Sequence, residues 1–223
     1  MDIQKELFAL QDLSYREFHA RLMPTVPKEN IIGVRTPMLR RLSRQLSPSD
    51  ASAFLSELPH HFYEENNVHA CLISSCKDFD TALSLTEDFL PFIDNWATCD
   101  MFFPKIFEKN ADLLLPHIRK WIQDKHAYTV RFSIGLLMRL FLETRFSPEY
   151  LALVSETPQD DYYVYMMTAW FFSVALVKQY DATLPFLLEY RLPRLTHNKT
   201  IQKALESYRI PTKTKAYLRT LRR

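Results

Sequence analysis

An indole and a carboxylate lie four residues apart in the segment D-N-W-A-T-C-D, residues 94–100. Four residues make about one helical turn, so Trp96 and Asp100 share a face if the segment is helical. A carboxylate beside an indole must be hydrogen-bonded or shift its pKa when it is buried, and it can stabilise a nearby positive charge. The pair is therefore a candidate site. Spacing alone also fits, and favours, a core tryptophan next to a solvated or capping aspartate.

The composition predicts the kind of fold that must position this pair. The chain has 223 residues, 47% of them hydrophobic, and only two glycines, Gly33 and Gly135. So few glycines argue against an all-β protein and against glycine-rich phosphate loops or a dinucleotide fold. We therefore expect an all-α protein. The sequence shows no signal peptide, no membrane span and no zinc spacing among its three cysteines, which predicts a cytoplasmic protein without metal or cofactor.

The charges are unevenly distributed although the net charge is only +2. Residues 51–100 hold nine acids against Lys77 alone, and residues 194–223 hold nine bases against Glu206 alone. A basic end on a near-neutral chain indicates a polyanionic partner, with a merely solvated terminal helix as the alternative.

Apolar periodicity and capping signals predict a series of short helices. Four hydroxyl-proline pairs predict helix starts near residues 37, 48, 148 and 158. The residues to about 22 form one or two further amphipathic helices, and Pro24 and Pro27 then impose a short extended link. The remaining predicted helices lie near 61–76, 78–91, 94–108, 111–123, 127–143, 181–190, 197–208 and 212–222.

Such a series fits a bundle or an α-solenoid, and the spacing favours the solenoid. Trp96 and Arg131 are 35 residues apart, and Arg131 and Trp170 are 39 apart, which is close to a HEAT-type period. We expect one domain over residues 1–223, built of HEAT-like helix pairs, with these side chains on a concave, partly basic face.

An ordered set of residues resembles the AlkD-type family of HEAT-like-repeat DNA alkylation repair proteins. The resemblance runs from I-I-G-V-R-T-P, residues 31–37, to the C-terminal helices. Trp96, Asp100, Arg131 and Trp170 fall where that family carries its catalytic aspartate, two aromatic residues and a phosphate-contacting arginine. No one of these motifs is diagnostic, but the set in register is fairly specific.

The resemblance implies a monofunctional glycosylase that excises cationic N3- or N7-alkylpurines from double-stranded DNA without base flipping. Asp100 would stabilise the oxocarbenium ion, and Trp96 and Trp170 would enclose the deoxyribose. Arg131 would hold a backbone phosphate, with Arg35, Lys199 and Lys203 as further DNA contacts. The implied protein is a monomer that needs no nucleotide cofactor and no membrane.

The sequence departs from the family pattern in three places. Residues 24–30 occupy the place of a helix that enters the DNA minor groove, and the two prolines exclude that helix. Ser173 occupies the place of a basic residue, and positive charge near Lys199 is sparse. Two alternatives therefore stay open: a non-catalytic paralogue with weak DNA binding, and a helical-repeat scaffold for a protein partner.

Overall fold

The computed structural model describes residues 1–223 and contains helices but no strand, so the all-α prediction is confirmed. Its contacts divide the chain into two compact units, residues 1–112 and 113–223. No helix has both the length and the apolar character that a membrane span requires.

Eight helices lie in the first unit, together with short 3-10 helices at Lys28–Asn30 and Leu90–Phe92. They are α1 (Ile3–Ala9), α2 (Leu13–Ala20), α3 (Thr36–Gln45), α4 (Pro48–Leu55), α5 (Tyr63–Ser74), α6 (Phe79–Phe89), α7 (Trp96–Met101) and α8 (Ile106–Lys109). Side-chain oxygens of Asp2, Asp12, Ser47 and Asp78 cap four of them by accepting a first-turn amide. These caps explain why such short helices begin where they do.

Helix α5 is the centre of the first unit. It packs against α1, α3, α4, α6 and α7, and nine of its twelve residues are buried. Glu64 of α5 is fully buried, and its carboxylate accepts hydrogen bonds from the amides of Ile32, Gly33 and Val34 at 2.8, 2.6 and 3.2 Å. Burial raises the pKa of Glu64, and the three amides oppose that rise. The carboxylate thus anchors the buried segment that leads into α3.

The second unit contains α10 (Ala127–Leu140), α11 (Pro148–Ser155), α12 (Tyr162–Lys178), α13 (Tyr180–Leu188), α14 (Arg194–Glu206) and α15 (Thr212–Thr220); α9 (Ala111–Trp121) begins just before it. Helix α12 packs against α10, α11, α13 and α14, and it carries the fully buried Phe171 and Phe172. In both units alternate helices pack side by side: α5 lies against α3 and α7, and α12 lies against α10 and α14. This layering is typical of stacked helix pairs.

Two predicted helices are wrong in their bounds. The helix expected over 94–108 is two helices, α7 and α8, because Pro104 has no amide to donate and restricts Phe103. The helix expected to start near Pro158 starts at Tyr162, where the Asp161 carboxylate accepts from the amides of Tyr163 and Val164. A stronger cap downstream therefore sets this helix start.

Candidate active site

Helix α7 carries Trp96 and Asp100 one turn apart, as the spacing predicts. The side chain of Asn95 caps it, with the Thr98 amide donating to Asn95 Oδ1 at 2.8 Å. Both Trp96 and Asp100 are partly buried. The helix has only six residues, so its own propensity contributes little and its position depends on tertiary contacts.

A buried chain of polar side chains supplies those contacts. Asn95 Nδ2 donates to Thr98 Oγ1 at 3.0 Å, and Thr98 Oγ1 donates to Asn67 Oδ1 at 2.9 Å. Asn67 lies on α5, so the first turn of α7 is bonded to the central helix of the unit. Because these bonds join α7 to the central helix of the unit, they hold in place the backbone that carries Asp100.

A hydrogen bond from the indole nitrogen holds the side chain of Trp96 in place. Its Nε1 donates to the carbonyl of Leu22 at 2.9 Å, and the ring packs against a cluster of Met23, Val26, Ile31 and Tyr63. The indole nitrogen is thereby occupied, and only the ring itself is available for contact with a ligand.

The proline segment that precedes α3 supports this tryptophan. Residues 24–27 form no α-helix, as expected, but they form turns that end in the 3-10 helix rather than the predicted extended link. Behind the cluster, His19 Nε2 lies 3.0 Å from the Tyr63 hydroxyl. Burial lowers the pKa of His19 and raises that of Tyr63, so both groups are neutral near pH 7 and place no charge under the indole.

Arg131 lies on α10 and is only 6% exposed. Its Nη1 donates to the carbonyl of Tyr163 at 2.9 Å, which bonds α10 to the first turn of α12. This contact gives Arg131 a structural role that its spacing from the tryptophans did not indicate. Its phosphate contact stays a prediction.

Trp170 lies on α12 and is 36% exposed, unlike its buried neighbours Phe171 and Phe172. It lines a hollow of about 350 Å³ that also contains Lys203, Glu206 and Arg209. Ser173 is in the same hollow, but its hydroxyl donates to the Trp170 carbonyl at 2.7 Å. Trp170 and the predicted DNA contact Lys203 thus share one surface of the second unit.

The other two predicted DNA contacts have protein partners. Lys199 Nζ donates to Gln202 Oε1 at 2.9 Å beside a second hollow that Arg222 and Arg223 also line. Arg35 forms an ion pair with Asp12 at 2.8 Å.

The Arg35 guanidinium lies 4.7 Å from the centre of the Tyr15 ring. Bonds from the Ser14 hydroxyl, the Tyr15 amide and Arg35 hold the pKa of Asp12 well below its usual range. Arg35 is still exposed, so a phosphate could compete with Asp12 for it.

Sequence reasoning missed Glu64, Asn67 and Thr98, the buried groups whose hydrogen bonds hold the site in place. Each lies at a plausible helical position, but its partner is distant in the chain, about 31 residues away for both Gly33–Glu64 and Asn67–Thr98. Only the run of four polar residues at 64–67, in a helix that is otherwise largely apolar, could have suggested an internal network.

Comparison with known proteins identifies the family. No curated protein matches the chain. A family profile described as "DNA alkylation repair enzyme" matches residues 3–203. Because this match covers most of the sequence, including α7, α10 and α12, the chain belongs to the DNA alkylation repair enzyme family.

Proposed function

We propose that the protein is a DNA glycosylase that removes purines alkylated at N3 or N7. The observation that carries the proposal is the Trp96–Asp100 pair, which the Asn95–Thr98–Asn67 chain fixes on α7 of a DNA alkylation repair family member. A short helix bonded so firmly to the centre of its unit suits a carboxylate that must be pre-positioned.

The chemistry needs one carboxylate and no general acid. An N3- or N7-alkylated purine is cationic, so the electrons of the C1′–N bond neutralise the base as it leaves. Positive charge develops on the sugar as an oxocarbenium ion, which Asp100 stabilises. A water that Asp100 orients adds its oxygen to C1′ and gives up a proton, leaving a neutral alkylpurine and an abasic site.

The two tryptophans favour the same cationic substrate. The Leu22 carbonyl occupies the Trp96 nitrogen, so Trp96 offers a ligand its electron-rich ring, which attracts positive charge. Trp170 is exposed beside Lys203, so a sugar against its ring would have its phosphate near a cation.

Phosphate contacts would supply most of the affinity. We assign them to Lys203, Lys199, Arg35 and Arg131. Arg131 also has a structural role, because its bond to the Tyr163 carbonyl joins α10 to the first turn of α12.

A non-catalytic DNA-binding protein is the second candidate. It is favoured by the turns at residues 24–27, which pack against Trp96 instead of forming a helix that could enter a DNA groove. Both candidates bind DNA, but only the glycosylase excises the alkylated base.

Single-turnover release of 7-methylguanine from a duplex, at low salt and with excess enzyme, tests the proposal. We expect release by the wild type and a loss of at least about 100-fold in Asp100→Asn, the scale on which single electrostatic groups contribute. Asp94→Asn is the matched control, since it removes a charge from the same segment and keeps an oxygen to accept from Asn95. DNA binding by Asp100→Asn should be unchanged or stronger.

Wild-type release at the same rate as Asp100→Asn would remove Asp100 from the mechanism. Binding without release at any enzyme concentration would favour the second candidate.

A further inference from the structure

A second basic surface lies in the first unit, although that unit also contains the acidic stretch 51–100. It is a groove of about 860 Å³ formed by α3, the end of α5, the residues after α7 and α8. Five bases line this groove, which we call the basic groove: Arg40, Arg44, Lys77, Lys105 and Lys109.

The charge of the basic groove is uncompensated. No carboxylate lines it, all five bases are exposed, and none of them forms an ion pair. Lys77, the one base among nine acids in residues 51–100, is therefore grouped with four other cations in three dimensions. Five unpaired like charges around one cavity repel each other, so an anionic ligand would relieve that repulsion.

The frame of the groove is preformed. Ser74, at the end of α5, accepts a bond from the Phe103 amide through its hydroxyl at 3.3 Å and from the Lys105 amide through its carbonyl at 3.4 Å. These bonds join α5 to the segment that leads into α8. The segment that carries Lys105 is therefore held against α5, the helix on which α3 with Arg40 and Arg44 also packs.

The bases form rows rather than a single cluster. Arg40 and Arg44 are four residues apart on α3, and Lys105 and Lys109 are four residues apart at α8, which is about 6 Å along each axis. Rows of cations match the repeated phosphates of a nucleic-acid strand better than one compact anion. Met101 also lines the groove, so the groove begins one residue from Asp100.

We propose that the basic groove binds the phosphodiester backbone of the DNA on which Asp100 acts. The choice of DNA as the polyanion rests on the proposed function, whereas the presence of an anion site rests on the groove alone. The basic groove adds phosphate contacts that replace part of the DNA affinity lost because the chain lacks the helix that enters the DNA minor groove. It also directs the DNA strand towards α7.

The test compares two double variants that remove the same charge. Arg40→Gln with Arg44→Gln changes the groove; Lys5→Gln with Arg41→Gln changes two exposed bases outside it, one of them on the same helix. Binding of an undamaged duplex is measured over a series of salt concentrations. If each arginine neutralises one phosphate, the slope of log K against log salt should fall by about 1.8 in the groove variant and stay unchanged in the control.

Thiol labelling gives a second readout. Cys71 and Cys76 line the groove, whereas Cys99 is buried and serves as an unreactive reference. Bound DNA should slow maleimide labelling of Cys76 several-fold. Equal salt slopes in the two double variants, or unchanged labelling, would overturn the proposal, and so would equal protection by inorganic phosphate.

The experiment uses undamaged DNA, so its result is independent of excision. A protein that binds in this way but releases no 7-methylguanine would refute only the glycosylase proposal.

Discussion

The two glycines should respond in opposite directions to replacement by alanine. Gly33 has φ of +96°, in the region that L side chains rarely adopt. A Cβ at Gly33 would lie 2.6 Å from Arg16 Cβ and 2.7 Å from the Asp12 carbonyl oxygen. Both atoms belong to α2 or its cap, so neither can retreat unless that helix moves.

The magnitude follows from two terms. The strained φ costs about 1–3 kcal/mol, and overpacking against backbone costs about another 1–3 kcal/mol. Gly33→Ala should therefore lower the free energy of unfolding by about 2–6 kcal/mol. Displacement of α2 would also loosen the three amide bonds to Glu64, since Gly33 donates the shortest of them.

Gly135 supplies the control within the same chain. It lies inside α10, and a Cβ there would meet only Met167 Cε at 3.5 Å, an ordinary contact. Gly135→Ala should stabilise the protein by up to about 1 kcal/mol through helix propensity and a less flexible unfolded chain.

Urea unfolding followed by circular dichroism measures both changes, and hydrogen exchange locates them. Amides of residues 1–112 should exchange faster than in the wild type in Gly33→Ala and at the wild-type rate in Gly135→Ala. If Gly33→Ala stayed within about 0.5 kcal/mol of the wild type, or if both variants shifted alike, the strain argument would be refuted.

Two further predictions concern His69 and Trp96. The pKa of His69 is lowered from 6.5 to about 3, mainly by burial and to a smaller extent by the charge of His60. The neutral form of His69 is therefore favoured in the folded state. The stability that this confers is complete above pH 6.5 and is lost as pH falls towards 3, which amounts to about 2 kcal/mol between pH 7 and 5. His69→Gln should show a correspondingly flatter dependence of urea stability on pH; an unchanged dependence would contradict the assignment. Trp96→Phe removes the bond to the Leu22 carbonyl, worth about 1 kcal/mol, and should speed amide exchange in residues 22–30. Exchange at the wild-type rate there would show that the ring alone holds the segment.

The sequence predicts the fold well because most of its helices have local signals. The caps Asp2, Asp12, Ser47 and Asp78 lie at helix starts, and the all-α prediction from the two glycines is confirmed. The errors fall where local signals compete. Pro158 is a plausible first residue, but the Asp161 cap defines the start of α12.

The candidate site is less accessible to sequence reasoning. The turn spacing of Trp96 and Asp100 is local and predictable, whereas the bonds that fix α7 join residues about 31 positions apart. Charge counts along the chain also failed to predict the basic groove, because Lys77 meets its four partners only after folding. Burial of Arg131 likewise depends on α12, which periodicity around α10 does not reveal.

The position of Glu64 in the sequence affects the order in which the chain folds during synthesis. The amides of residues 32–34 have no strand to pair with, and their acceptor follows about 30 residues later. At translation rates of about 5–20 residues per second, a nascent chain waits about 2–6 s between making these donors and making their acceptor. Until α5 leaves the ribosome, these amides lack their acceptor and α1 lacks the contacts that it makes with α5, so the amino-terminal helices are made first but complete their packing later.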